Sequence, residues 1–318
     1  MTAKSIAIIG ECMVELSGQP FTAMQQNYGG DSMNTAIYLK KLAGNEVNVN
    51  YVSAMGTDPL SRALIEKWQA HHINTDNVLL SHNKQPGLYM IQNDVSGERT
   101  FQYWRSDSAA KYLLQHADFK KVLTSLAEVD AIYLSGISLA ILAEQDCHTL
   151  LSHLALLKQQ GIKIIYDSNY RPALWSSKMH CHLANNKAYA LADLALVTFD
   201  DEAQLWGDSN VAQCTERLHQ QGAHEVVVKL GADGCQYSKK HLDNSISVEL
   251  FNTVAVEKVI DTTAAGDSFN AGFLAQWLTE QPIKQCAQAG NLLAAQVIQK
   301  RGAIVEIDIA TIKHTIKA

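Results

Sequence analysis

The chain has 318 residues, 47% of them hydrophobic and 18% charged, with a formal net charge of −6. That length supports one large domain with a substantial core, and a mild, mixed charge without a basic block argues against nucleic acid as a partner. The longest apolar stretches, such as "AIYLSGISLAIL" at 131–142, fall short of a membrane helix and contain Gly and Ser, so no membrane association is expected.

The N-terminus "MTAKSIAIIGE" runs into a short strand without a signal-type apolar region, which reads as cytoplasmic. Strand-like runs follow at 5–10, 47–56, 130–136, 162–169, 194–199 and 225–231, and amphipathic helical patterns lie at 32–44, 60–72 and 214–222. This alternation implies parallel strands joined by crossovers, hence an α/β class with a mainly parallel sheet between helical layers. Residues 86–105 break the rhythm: "PGLYMIQNDVSGERTFQYWR" reads as two strands around a turn at Asp94 to Gly97. With "ECMVELSG" (11–18) this hairpin is expected to form a small β lid, about 11–18 and 86–106, over the carboxyl ends of the core strands. The C-terminal third is helical again, and the absence of a linker or internal repeat gives a single domain over 1–318.

The six cysteines, at 12, 147, 181, 214, 235 and 286, form no CxxC pair and read as reduced thiols. Neither the His180, Cys181, His182 cluster nor His71 and His72 has a second ligand pair at metal-binding spacing, so no metal is assigned to them.

There is no GxxxxGK[ST] and no GxGxxG, which argues against a P-loop and a dinucleotide-binding Rossmann site. Three glycine-bearing points remain at predicted element ends: "NYGGDSMN" (27–34), "KLGADGC" (229–235) and "DTTAAGDSF" (261–269). Each taken alone is a turn or a helix cap. In the third, an acid among small residues at a helix start also suits an anion site with a base beside it.

The stretch "DTTAAGDSFNAGFLA" resembles the signature of the ribokinase-like, or PfkB-type, carbohydrate kinases. The resemblance extends through "IGECMVEL", "GGDSMNTA", the lid hairpin, "KLGADG" and "GNLLAAQVIQKRGA". It implies a ribokinase-like three-layer α/β/α core with a small β-sheet lid, and transfer of the γ-phosphoryl group of ATP to a sugar hydroxyl. "GECMVEL", "PGLYMIQ", "GERTFQYWR" and "DSNYRPALW" are most similar to members that act on the sugar acid 2-keto-3-deoxygluconate at its terminal hydroxyl.

Carried over residue by residue, the resemblance makes Asp267 the base, with the N–H groups of Ala264, Ala265 and Gly266 facing the transferring charge. It puts Gly30, Asp31 and Asn34 on the floor of the sugar-acid site, Tyr89, Tyr103 and Arg105 on the lid, and Arg171 on the core side. Arg105 and Arg171 suit a carboxylate, which an Arg fork binds with directed, charge-assisted donors. For ATP it implies Ser168 and Arg171 near the phosphates, Lys229, Gly231 and Gly234 around the nucleotide, and Asn291 near the adenine. Mg²⁺ follows from the ATP chemistry rather than from a ligand cluster, and a monovalent cation such as K⁺ at Asp261 and Thr263 follows from some relatives. Where many relatives have an N-x-x-E motif, "FDDE" keeps Glu202 but has Phe199 in the Asn position, so Asp200, Asp201 and Glu202 are all candidates for the magnesium network. The lid's aromatic content hints at a homo-oligomer. Two alternatives stay open: a kinase of another sugar such as fructose or ribose, and a non-catalytic sugar-acid sensor.

Overall fold

A computed structural model describes residues 3–93 and 99–317. The strands are β1 (Lys4–Ile9), β2 (Met13–Ser17), β3 (Gln25–Gly29), β4 (Val47–Gly56), β5 (Val78–Ser81), β6 (Leu88–Asn93) and β7 (Arg99–Trp104). They continue as β8 (Ala131–Ser135), β9 (Lys163–Asp167), β10 (Leu194–Thr198), β11 (Glu225–Lys229), β12 (Cys235–Lys240) and β13 (Ile246–Phe251). The helices are α1 (Asp31–Ala43), α2 (Pro59–Ala70), α3 (Phe119–Leu126), α4 (Gly136–Ala140), α5 (Glu144–Gln159) and α6 (Lys178–Leu191). After them come α7 (Phe199–Trp206), α8 (Val211–Gln220), α9 (Ala265–Trp277), α10 (Ile283–Val297) and α11 (Ile309–Lys317).

Nine strands form the main sheet in the order β13-β12-β11-β10-β9-β8-β1-β4-β5. It is parallel from β11 through β5, and β12 and β13 add antiparallel at one edge. The central strands are apolar on both faces, which is why they read as continuous hydrophobic runs. Ile6 and Ile8 of β1 pack into a core with α1, α9 and α10, while Ala7 and Ile9 point into a second core with α3, α5 and α6. Period-2 alternation along one buried strand thus joins both helical layers into the expected three-layer fold.

The lid is a separate four-stranded sheet in the order β3-β2-β6-β7. Its β6–β7 pair is the antiparallel hairpin expected at 86–105, with Tyr89 opposite Tyr103. The turn at Asp94 to Gly97 lies outside the described residues. The lid also contains β3, which the sequence reading does not name: "QQNYG" has no apolar alternation because its first three residues are exposed at a sheet edge. The edge strand β13 is also unnamed in the sequence reading, although "ISVELF" does alternate apolar with polar; it is exposed along nearly all its length.

Two expected strands give way directly to a helix. At β8, Gly136 opens α4, and a Cβ there would lie 2.0 Å from the Ser168 carbonyl oxygen, so glycine is needed for the approach. At β10, Phe199 opens α7, with Asp200, Asp201 and Glu202 in its first turn, where acids suit the helix dipole.

α7 is anchored from within. Glu202, fully buried, accepts from Tyr189 Oη at 2.7 Å and from Arg217 Nη2 at 2.7 Å. Arg217 also reaches Asp208 at 2.5 Å and lies over the Trp206 ring at 4.9 Å. Glu202, Asp208 and Cys214 come together as a set of metal-type ligands, but the Arg217 guanidinium already supplies positive charge among them. Removing one partner of a buried pair leaves an uncompensated charge. Arg217→Met is therefore expected to cost roughly 3–5 kcal/mol of unfolding free energy in urea denaturation, while Arg171→Met, whose side chain is half exposed, costs under about 1 kcal/mol.

Candidate active site

At the carboxyl ends of β1, β9, β10 and β11, under the lid, lies a cavity of about 600 Å³. Strand ends and loops at this edge are where open α/β sheets bind ligands. Twelve of the residues expected from sequence line it: Gly30, Asp31, Asn34, Tyr89, Tyr103, Arg105, Arg171, Lys229, Ala264, Ala265, Gly266 and Asp267. Ser168, Gly231, Gly234 and Asn291 do not.

The floor is the start of α1. Gly30 precedes the helix, and a Cβ on it would lie 2.2 Å from the Glu11 carbonyl oxygen. Asp31, nearly buried, accepts from Asn169 Nδ2 at 2.9 Å, and Asn34 Nδ2 donates to Asp267 Oδ2 at 2.8 Å. The Asn34 Oδ1 atom is buried with no hydrogen-bond partner.

On the lid, the Tyr89 hydroxyl donates to Glu15 Oε2 at 2.5 Å and its ring leans on Tyr103, 5.9 Å between centroids. Tyr103 and Trp104 are more than half exposed. Arg105 forms a buried ion pair with Glu11, joining the end of β7 to the segment after β1. Across the cavity, Arg171 pairs with Asp201 Oδ1 at 3.3 Å and donates to the Tyr170 carbonyl at 2.6 Å.

The mouth of α9 supplies the anion-binding geometry. Ala264 has φ 60, a left-handed conformation that costs an alanine about 1–2 kcal/mol. The N–H of Ala265 donates back to the Thr262 carbonyl at 3.1 Å, so it closes a turn and does not face the cavity as an anion donor, contrary to the expectation for this residue. Gly266 and Asp267 follow within a first helical turn whose N–H groups have no intrahelical acceptors. A Cβ on Gly266 would meet a single neighbour, Lys229 Nζ at 3.5 Å, so a cation stands over this mouth.

Asp261, ahead of α9, is engaged structurally: one carboxylate oxygen accepts from Thr263 N at 3.0 Å and the other from Gly302 N at 2.7 Å. The four residues outside the cavity fall in two places. Ser168 is buried beside Glu202. Gly231 and Gly234 turn the chain after β11; Gly234 has φ 89 and sits against the Phe251 carbonyl, and Asn291 Nδ2 reaches the carbonyls of Phe251 at 3.4 Å and Asn252 at 3.3 Å. Gly234 and Asn291 thus converge on residues 251–253, outside the lining of that cavity.

Sequence reasoning missed Glu11, Asp167 and Asn169, which line the cavity, and Asn270, which is fully buried behind it. Each lies inside a stretch already singled out, "IGECMVEL", "DSNYRPALW" or "DTTAAGDSFNAGF". The overlooked signal is polar residues at strand ends, and for Asn270 the position one helical turn after Asp267.

With the geometry in place, the family follows. The model for pfkB family carbohydrate kinases matches residues 3–310, and the chain belongs to that family. It is 48% identical over 315 residues to the 2-dehydro-3-deoxygluconokinase of Haemophilus influenzae, covering 98% of each chain. It is 43% identical over 306 residues to the enzyme of that name from Escherichia coli K12, covering 95% of this chain and 97% of the other. Among solved structures, a putative ribokinase II from E. coli in complex with ATP and Mg²⁺ superposes with a TM-score of 0.82 at 21% identity, covering 99% of both chains. Aminoimidazole riboside kinase from Salmonella enterica gives 0.81 at 19% identity, over 98% of this chain and all of the other. At those identities the structures establish the shared ribokinase-like fold.

Among the carboxyl groups of the cavity, Asp267 is strongly perturbed. Burial pushes its carboxyl up from 3.8 to about 7, the nearby charges of Asp31 and Asp167 add to this, and the Asn34 bond and Lys229 oppose it. The sign for stability follows from linkage: an acid harder to ionise folded than unfolded costs nothing below pH 3.8, and its penalty grows as pH rises to about 7 and persists above. Asp267→Asn removes that penalty. Denaturation of the ligand-free protein across pH 4–8 is expected to find the variant equal to its parent near pH 4 and more stable, on the order of 1–3 kcal/mol, at pH 8.

Proposed function

We propose that this chain phosphorylates the terminal hydroxyl of 2-dehydro-3-deoxy-D-gluconate with ATP, giving 2-dehydro-3-deoxy-6-phosphogluconate and ADP. The observation that carries the reading is the pairing of one base at a helix mouth with arginines on the far walls of one cavity, in a chain 43–48% identical to kinases named for this substrate. A sugar acid has a carboxylate at one end and the reacting hydroxyl at the other. Arg105 and Arg171 suit the carboxylate, and Asp267 suits the hydroxyl. A neutral ribose or fructose leaves the arginine end unrewarded.

The hydroxyl oxygen attacks the γ-phosphorus, the bond to the β,γ-bridging oxygen breaks, the proton passes to Asp267, and ADP leaves. Charge accumulates on the transferring oxygens, where the N–H groups of Gly266 and Asp267 and the Lys229 ammonium stabilise it. Asn34 holds Oδ2 of the Asp267 carboxylate, and Asp267 lines the cavity. The residues fit Mg²⁺: Asp200 and Asp201 are hard oxygen donors at the cavity wall, suited to a cation that keeps water and phosphate ligands. When bound, Mg²⁺ neutralises phosphate charge. The adenosine end belongs over the loop at 251–253 where Gly234 and Asn291 meet, and exposed apolar Val254, Val259 and Ile260 lie nearby in the chain.

A panel of the keto acid, fructose and ribose with coupled ADP detection tests the substrate; preference for a neutral sugar overturns it, and binding without turnover supports a sensor instead. Asp267→Asn is expected to lose roughly a thousandfold in kcat with little change in either KM. In the parent, kcat/KM for the keto acid should rise with pH and reach half its plateau near pH 7, because the base must be ionised.

A further inference from the structure

Lys229 sits at the end of β11, almost fully buried, with its ammonium at the mouth of α9. An ammonium has three N–H donors. Among the described residues two acceptors engage it, Asn270 Oδ1 at 3.1 Å and Asp167 Oδ1 at 3.4 Å, and the side chain lines the cavity beside Gly266. The donor left over has the cavity to serve.

Asn270 is fully buried one turn into α9, and its amide is committed on both sides. Nδ2 donates to Asp167 Oδ2 at 2.7 Å and to Tyr133 Oη at 3.2 Å, while Oδ1 takes the lysine. Flipping the amide would set its oxygen against a carboxylate and its N–H against an ammonium, so its orientation is fixed by the charges around it. Asp167 is held in turn by the Asn169 backbone N–H at 3.3 Å. Three residues from α9, β9 and β11 thus form a closed loop whose outward product is the direction of one N–H.

We propose that Asn270 is a positioning residue for phosphoryl transfer: it aims the Lys229 ammonium at the oxyanion position over α9, with Asp167 as its counter-charge. This rests on the kinase reading and deepens it by naming what directs the cation. Among the described residues, the Lys229 ammonium is the one side-chain group within 4 Å of a Cβ built on Gly266. Because Asn270 would act only through Lys229, its value vanishes once the lysine is gone.

A double-mutant cycle tests this. Lys229→Met is expected to lower kcat about 100-fold, the scale for losing one oxyanion donor. Asn270→Leu, which matches the shape without hydrogen bonding, is expected to lower kcat at least tenfold, and the double variant should match Lys229→Met within threefold, with the sugar-acid KM unchanged. Asn270→Ser provides the same cycle with a smaller side chain. Losses that multiply, or near-normal kcat in either single variant, overturn the proposal. So does failure of both Asn270 variants to fold while Lys229→Met keeps its Tm, which makes the residue structural. The parent's turnover of the keto acid is the control: if the parent uses another sugar, the substrate assignment fails and the cycle is run on that sugar.

Discussion

Every cation that lines the cavity stands beside an acid: Arg105 beside Glu11, Arg171 beside Asp201, Lys229 beside Asp167. The pairs come from different elements, so charge matching ties the lid to the core and the strand ends to one another. They also differ in worth. The Arg171 pair is half exposed and water screens it, whereas the Lys229 and Arg105 pairs are buried, where losing either partner strands a charge. The lining nevertheless holds six acids against three bases, Asp31, Asp200 and Asp267 being the surplus. An acid-rich cavity repels a sugar acid and a triphosphate arriving alone. A divalent cation on hard oxygen donors resolves this, which makes magnesium a consequence of the cavity's charge as much as of ATP chemistry.

The same surplus explains Asp267. A lone carboxylate at a helix N-terminus would be expected to ionise easily, because the helix dipole favours its charge. Here burial and two neighbouring acids push the other way and win, and the carboxyl is held near neutrality. On the proposed reading this brings the base close to the pH at which it works. The helix start has no side-chain cap, so Asp267 is not spent on capping, and on the proposed reading the acids around it tune it as the base.

Much of this was legible in the sequence because the central strands are buried on both faces and announce themselves as apolar runs; Val47–Gly56 falls where "VNVNYVSAMG" predicts. The edge strand β3 was not legible, since "QQNYG" bears no apolar alternation, whereas β13 carries the alternation in "ISVELF" and was legible but not named. The site divides along similar lines. Motif residues such as Gly30, Asn34 and Asp267 converge as the resemblance implies, but Glu11, Asp167 and Asn270 act through partners distant in sequence, and one chain read alone does not say which polar residue meets which. Glu202 is the opposite case. As the retained acid of a motif it invites a metal role, yet it is spent on Arg217 inside the core, and the acids beside it at Asp200 and Asp201 are the ones that reach the cavity.

The lid and the floor divide the work of recognition. The polar groups that the lid contributes are already bound: the Tyr89 hydroxyl to Glu15, the Arg105 guanidinium in part to Glu11. What the lid can offer an incoming sugar acid is the charge of Arg105, which lines the cavity, and the exposed ring of Tyr103. Hydroxyl reading falls to the floor, where Asn34 Oδ1 is buried without a donor while Nδ2 of the same amide holds Asp267. A substrate hydroxyl that satisfies Oδ1 fixes the amide and, through it, the carboxylate that takes the proton. Buried polar atoms left unpaired are costly, so a ligand lacking that hydroxyl is penalised at the base itself. On the proposed reading, recognition of the sugar and positioning of the base are one event, carried by the two ends of a single asparagine side chain.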